Sequence, residues 1–336
     1  VRLKVPIDVI VPAYNGAAYL RECLPSIAAQ TCAVNDVIVV DDGSTDDTVA
    51  VARSLGARVV SQPNAGVAVA RNAGIRASQA PFIALLDADD RWRPQHLEAQ
   101  WRAHEARPDV AIVTTDYAYW TGETISGSVL AGQSSFRSAR RERLSPEAYV
   151  ISSEDMVAAL AVRNFLLPST LLVDRRLFDR DGVYFRPRAE LVESDEIFIG
   201  EDYEWLLRAL RVTSVALVDR VLVDYRQSPG TLSARRGRIR YGDVVLGRMI
   251  AASPAEYAPG AAEAFERTRA LGLREAALRH VKSGEFGYAA ARLHEFAQTQ
   301  SQPLRTLATL GAKLLEPAWM RPLLVPISRL RRPRFR

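Results

Sequence analysis

The stretch Phe82-Ile83-Ala84-Leu85-Leu86-Asp87-Ala88-Asp89-Asp90 joins five apolar residues, without a break, to a run holding three carboxylates. An apolar run with no polar alternation marks a strand buried on both faces, as in a parallel sheet covered by helices. Working outward, Val37-Ile38-Val39-Val40 runs into Asp41-Asp42-Gly43-Ser44, and Val9-Ile10-Val11 runs into Pro12-Ala13-Tyr14-Asn15. Strands are expected at 8–12, 36–40, 58–61, 82–86 and 110–114, with helices at 17–30, 45–55, 66–77 and 94–106 where apolar residues recur at helical spacing. Ser44, with Asp47 three residues on, reads as a capping box for the second of these helices. Strands alternating with helices imply an α/β fold whose mostly parallel sheet is flanked by helices.

Residues 1–116 are thus expected to form one half of an α/β domain. Residues 117–242 are expected to form the second half. In it the pattern loosens from 117 to 164 into Gly, Ser and Arg, including Arg137 to Arg143, which reads as an irregular connection. Apolar stretches at 169–173 and 215–225, with a helix at 203–211, complete the sheet. Residues 243–336 read as a helical extension, with helices at 263–283 and 286–299 and a turn at Ser283-Gly284-Glu285.

The chain has 336 residues, 48% hydrophobic and 25% charged, which excludes a disordered chain and a multi-span membrane protein. Cys23 and Cys32 are its only cysteines, so neither a disulfide framework nor a thiolate metal site is expected, and a reducing cytoplasm fits. The N-terminus enters strand-like sequence at Ile7 without a signal-peptide pattern, so export is not expected. The net charge of +5 is uneven: residues 301–336 carry eight Lys/Arg against one Glu, leaving 36 basic and 38 acidic residues in the body. That tail combines Trp319 and several Leu with Arg321, Arg329, Arg331, Arg332, Arg334 and Arg336. It can lie on an anionic membrane surface at the inner face, or pack as a helix with a frayed end. Nucleic acid is not an expected partner.

In an open parallel sheet, ligands bind outside the carboxyl ends of the strands. Three polar clusters, 12–15, 41–44 and 87–90, share that edge and gather carboxylates that repel one another unless a cation or a hydrogen-bonding ligand compensates. Asp87-x-Asp89 offers hard oxygen ligands suited to Mg²⁺ or Mn²⁺, with phosphate and water completing the shell. His96, His104, His280 and His294 are scattered and read as surface or packing residues. Neither a G-x-G-x-x-G after the first strand nor a P-loop occurs, so a diphosphate needs a metal and nearby Arg. Arg71, in Asn64-x-Gly66-x-x-x-Ala70-Arg71-Asn72-x-Gly74, is placed to serve. Gly200-Glu201-Asp202-Tyr203-Glu204-Trp205 opens a helix, where an acid either caps the helix or takes a proton from an incoming hydroxyl.

These motifs resemble the family 2 glycosyltransferases, inverting enzymes of the GT-A (nucleotide-diphospho-sugar transferase) fold. The match spans about 230 residues, from Val9–Asn15 through Val40–Asp46, Asn64–Gly74 and Leu86–Asp90 to Gly200–Tyr203. The resemblance implies that Pro12, Ala13, Tyr14, Asn15 and Asp42 hold the nucleotide base, with Asn64, Gly66 and Arg71 also on the nucleotide side. It implies that Asp87, Ala88 and Asp89 form the D-x-D motif, Asp87 near the ribose or sugar and Asp89 on the metal. Asp202 matches the catalytic base, and Glu201, Tyr203 and Trp205 are expected at the acceptor. The implied partners are a nucleotide sugar, a UDP-sugar by preference, and a saccharide or lipid-linked acceptor in cell-surface polysaccharide or glycolipid synthesis. Ser228 stands where many members have His two residues beyond the Arg of Tyr225-Arg226; Arg226 or Arg235–Arg240 would substitute. The Q-x-x-R-W motif of processive members is missing, which favours single addition. A sugar-phosphate nucleotidyltransferase and a non-catalytic binding module are the rival readings. The first lacks its expected Gly-rich, Arg-containing loop, and intact carboxylates at all three sites argue against the second.

Overall fold

The computed structural model describes residues 2–191, 200–227, 239–282, 286–299 and 308. A ten-stranded sheet organises the first compact unit, formed by residues 2–191, 201–227 and 255–261. Its strands are β1 (Ile7–Ala13), β2 (Asp36–Asp41), β3 (Arg58–Ser61), β4 (Phe82–Leu85), β5 (Arg91–Trp92), β6 (Ile112–Trp120), β7 (Glu142–Ser145), β8 (Ala148–Ile151), β9 (Leu172–Asp174) and β10 (Val215–Arg226). They lie in the order β3-β2-β1-β4-β9-β6-β10-β8-β7, with β5 paired to β10. The first four are mutually parallel, and β6 and β10 are parallel to each other. The short β9 is antiparallel to both β4 and β6.

All seven residues of β1 are buried, as befits a central strand; the one charged residue among them, Asp8, accepts from Asn35 Nδ2 at 2.8 Å and Ser78 Oγ at 2.6 Å. Helices α1 (Ala17–Ala28), α2 (Thr48–Ser54), α3 (Val67–Ala77) and α4 (His96–Ala106) follow β1, β2, β3 and β5. Gly74 explains how close α3 comes to the sheet. A Cβ there would sit 2.3 Å from Ile10 Cγ2 and 3.0 Å from Val40 Cγ2. Since β1 pairs with β2 on one side and β4 on the other, the strand order reverses at β1, and the ligand crevice of such a sheet is expected outside the carboxyl ends of β1 and β4.

Two readings of the sequence change. Residues 117–164 are built into the fold: β6 continues to Trp120, β7 and β8 form a hairpin on β10, and α5 (Ser153–Val162) follows, with the Ser152 hydroxyl accepting from Asp155 N. The exposed polar side chains of the edge strand β7 hid it. The capping box at Ser44 does not form, because α2 starts later, at Thr48, and the Ser44 hydroxyl instead accepts from Asn15 N.

Helix α6 (Glu201–Ala209) precedes β10. The second compact unit contains α7 (Ile239–Ala252), most of α8 (Ala261–Lys282) and α9 (Phe286–Gln298), close to the expected helical extension. Leu246, Ile250, Phe265, Leu273 and Phe286 are buried there, and Glu295 pairs with Arg248 and Arg292. No helix among the described residues is long and apolar enough to cross a membrane. The expectations for Ser228, for Arg235–Arg238, for the turn at 283–285 and for the basic tail beyond 308 lie outside the described residues.

Candidate active site

The crevice is edged first by the turns after β1 and β2. Asn15 takes a left-handed conformation (φ 49°), which Asn tolerates better than most residues. Its backbone N–H donates to Ser44 Oγ at 2.9 Å and its Oδ1 accepts from Thr45 N at 2.8 Å, so one residue stitches the two turns together. Gly43 (φ +77°) lets the 62–66 loop approach, since a Cβ there would stand 2.7 Å from Asn64 N. Asp42 is buried. Its Oδ1 accepts from Gln62 Nε2 at 2.7 Å and Ala65 N at 2.9 Å, and its Oδ2 from Gly66 N at 2.9 Å. The Asp42 carboxylate, expected to read a nucleotide base, therefore also fixes the loop that launches α3. Pro12 and Ala13 are buried at the strand end, whereas Tyr14, Asn64 and Gly66 are exposed at the rim.

Helix α3 carries Arg71 inward to 3% exposure. Its Nη2 donates to Asp87 Oδ1 at 2.7 Å and its Nη1 to Glu201 Oε1 at 3.4 Å, while the guanidinium lies 5.4 Å over the Phe185 ring. Burial alone would favour its neutral form, but Asp87, Glu201 and Asp202 together outweigh that and raise its pKa further. Expected to face a diphosphate, Arg71 is instead an internal bridge from the D-x-D turn to the start of α6. Asn72 beside it clamps the 185 segment: its Nδ2 donates to Phe185 O at 2.7 Å and its Oδ1 accepts from Phe185 N at 3.0 Å.

The D-A-D turn follows β4. Burial, then the charge of Asp87, push the Asp89 carboxyl up to about 6. Among the described residues no cation lies within ion-pair distance of it. Asp90, which could have capped α4, is buried and bonded elsewhere. Its Oδ2 accepts from Ser169 Oγ at 2.6 Å and its Oδ1 from Arg226 N at 2.9 Å. Arg226 is held in turn by Asp89 O (2.8 Å), Glu22 Oε1 (2.9 Å) and the Trp120 ring, 4.0 Å from its guanidinium.

At the start of α6, Asp202 has its carboxyl pushed up to about 7, chiefly by burial and by Glu201, with Arg71 pulling the other way. That is the range of a general base working near neutrality. Tyr203 and Trp205, expected at the acceptor, are core residues instead. Tyr203 is 3% exposed and its hydroxyl donates to Leu160 O at 2.6 Å. Trp205 is fully buried, donates from Nε1 to Val183 O at 2.7 Å and stacks on Phe185 with centroids 4.8 Å apart. Depth along the helix accounts for this: Glu201 and Asp202 at its first turn are partly exposed beside Arg71, whereas every residue from Tyr203 to Ala209 is buried.

The structure therefore gathers Arg71, Asp87, Asp89, Glu201 and Asp202 into one mutually charged group, and places Asn15, Asp42, Asn64 and Gly66 in a loop cluster joined to it through α3. Asp41 belongs to neither, since its Oδ1 accepts from Ser44 N within its own turn. His96 is a packing residue as expected, fully buried and stacked on Trp92 at 4.6 Å. Reasoning from sequence missed Ser169, which no local motif marks, and gave no role to Asn72 although it stands in the Asn64–Gly74 motif. Among the described residues no three His, Cys, Asp or Glu converge as a closed metal site. One or two carboxylates at the D-A-D turn, with the remaining positions open to diphosphate and water, nevertheless match the habit of Mg²⁺ and its relatives.

This fold, a parallel-cored sheet with acidic turns at one edge and an acid at the head of a later helix, is the GT-A fold. Residues 8–156 match the profile described as Glycosyl transferase family 2. An uncharacterised glycosyltransferase, YibD, of Escherichia coli (strain K12) is 37% identical over 125 residues, which are 35% of this chain and 36% of that protein. The hyaluronan synthase of Pasteurella multocida is 32% identical over 149 residues, 42% of this chain and 15% of that protein. The chain thus spans well under two-thirds of either relative. Among solved structures, S. aureus TarS 1–349 in complex with UDP-GlcNAc shares the fold with a TM-score of 0.59 at 18% identity, covering 96% of this chain and 87% of that one. Mannosyltransferase PcManGT from Pyrobaculum calidifontis, in complex with GDP-Man and Mn²⁺, gives 0.52 at 18% identity, covering 96% and 84%.

Proposed function

We propose that this chain is a metal-dependent, inverting, non-processive glycosyltransferase that moves a sugar from a nucleotide-diphosphate donor, of which a UDP-sugar is preferred, to the hydroxyl of a saccharide or lipid-linked acceptor. The observation that carries the proposal is the Arg71 bridge. One buried cation links Asp87 of the D-x-D turn to Glu201, next to an Asp202 poised near neutral pH. The donor-binding edge and the proton acceptor are thereby held in one frame.

In the proposed step, Asp202 accepts the proton of the acceptor hydroxyl while that oxygen bonds to the anomeric carbon. The bond from this carbon to the diphosphate breaks on the opposite face, the diphosphate leaves with the electron pair, and configuration inverts. No covalent intermediate on the protein is needed. Asp89, with Asp87 beside it, would hold Mn²⁺ or Mg²⁺, which when bound supplies positive charge for the departing diphosphate. Arg71 keeps Asp87 and Glu201 in place and offsets their repulsion. The Asn15–Ser44–Asp42 turns shape the floor for the nucleotide. The hyaluronan synthase likeness and the UDP-GlcNAc on TarS support polysaccharide or glycolipid synthesis as the setting.

A screen of UDP- and GDP-sugars for turnover or slow hydrolysis in Mn²⁺, followed by NMR of the product's anomeric configuration, tests this reading. Donor-dependent turnover with inversion is expected. A chain that binds no nucleotide sugar with or without Mn²⁺, or a product that retains configuration, would overturn it.

A further inference from the structure

Ser169 lies in the single 3-10 turn Pro168–Thr170 ahead of β9 and is fully buried. Its Oγ accepts from the Asp87 backbone N–H at 3.1 Å and donates to Asp90 Oδ2 at 2.6 Å, while its carbonyl accepts from Trp92 Nε1 at 2.7 Å. Asp90 in turn accepts from Arg226 N at 2.9 Å. One hydroxyl therefore holds the first and last residues of Asp87–Asp90 and, through Asp90, the end of β10. A buried hydroxyl needs partners for both its donor and its lone pairs, and nearby carbonyls often serve. Here both partners lie in the turn that presents Asp87 and Asp89.

We propose that Ser169 is a positioning residue that locks the D-A-D turn from beneath. The Asp87 and Asp89 carboxylates are then aimed before any ligand binds. The geometric lock stands on the hydrogen bonds; its use in nucleotide binding rests on the glycosyltransferase reading. Sites work only when the residues supporting their ligating groups hold them in register, and small displacements weaken binding out of proportion to one hydrogen bond.

The test uses the full chain with Ser169→Ala, Asp90→Ala and Asp90→Asn. Asn at 90 keeps an acceptor for Arg226 N and can donate from Nδ2 to Ser169 Oγ, but leaves the Ser169 proton without its acceptor, so it should lie between wild type and Asp90→Ala. Amide hydrogen exchange is followed in peptides covering 87–91 and, as a control, 7–13. Ser169→Ala and Asp90→Ala should speed exchange at 87–91 by roughly tenfold, the loss of about one hydrogen bond, and leave 7–13 unchanged. Affinity for UDP and for GDP is then measured in Mn²⁺ and in EDTA. Both Ala variants should bind about tenfold more weakly in Mn²⁺ and as well as wild type in EDTA, and Asp90→Asn should recover part of the affinity.

Unchanged exchange at 87–91 overturns the lock, whatever the nucleotide does. Faster exchange with unaltered Mn²⁺-dependent affinity, or an equal loss in EDTA, overturns the positioning role. Wild-type protein that binds neither nucleotide overturns the functional reading and the role built on it, while hydrogen exchange still judges the lock.

Discussion

Replacing Asp202 by Asn keeps the shape of the side chain and removes the oxygen proposed to take the proton. The Asp202 carboxyl sits near 7 instead of the ordinary 3.8, because burial and Glu201 outweigh the pull of Arg71. At about 1.4 kcal/mol per pH unit, keeping it ionised costs the folded state at most about 4 kcal/mol. Asn should recover about 1–3 kcal/mol of this, since Arg71 then loses one of the charges that balance it. The folded-state value lies above the unfolded one, so the folded protein holds the proton to higher pH. Wild-type stability therefore falls as pH climbs from about 4 to about 7 and levels off beyond. The stability advantage of Asp202→Asn should be small at the acid end, grow through that window and be complete near pH 8. In a melting series each kcal/mol reads as roughly 2–4 °C. Turnover of the same variant should fall by about 10²-fold or more. Near-normal turnover, or a melting difference that stays flat from acid to neutral pH, would refute the assignment of Asp202 as a buried base.

Asp89→Ala should weaken Mn²⁺-dependent nucleotide binding and leave binding in EDTA unchanged; calorimetric titration with and without metal checks this. Arg71→Met should destabilise by about 3–5 kcal/mol in urea unfolding, since it leaves buried carboxylates facing one another without their cation, and the loss should shrink on acidification. Gly74→Ala should cost about 1–3 kcal/mol in the same assay, because the added methyl meets Ile10 and β1 cannot yield without moving β2 and β4. Asp42→Ala removes three hydrogen bonds to the 62–66 loop. Faster proteolysis of that loop and weaker nucleotide binding are the expected results.

The carboxyl-edge clusters were legible in the sequence because β1, β2 and β4 are buried on both faces, so each apolar run stops where the chain meets solvent. The same logic failed for β7. It is an edge strand with one contact face, and its Arg, Glu and Ser residues read as a loop. β9 was anticipated as the apolar stretch 169–173, but nothing in three residues shows that it runs antiparallel to its neighbours. Tyr203 and Trp205 were misplaced because nearness to Asp202 along the chain was taken as shared exposure, whereas α6 is buried from Tyr203 onward. Arg71 was found, but its role was not: the partner Glu201 stands 130 positions away. The role of Asp90 was hidden in the same way, since its partners Ser169 and Arg226 stand 79 and 136 positions away.

The placement of β4 between β1 and β9 has a consequence for synthesis on the ribosome. The first half of the sheet is translated in one piece, yet the strand that covers the outer edge of β4 emerges about ninety residues later. At roughly 5–20 residues per second, a nascent chain shows that apolar edge for about 5–20 s. An uncovered edge of this kind is a template for pairing with a neighbouring chain. Chains truncated between β4 and β9 should therefore aggregate, and efficient production should depend on Phe82–Leu85 being shielded before another polypeptide reaches it.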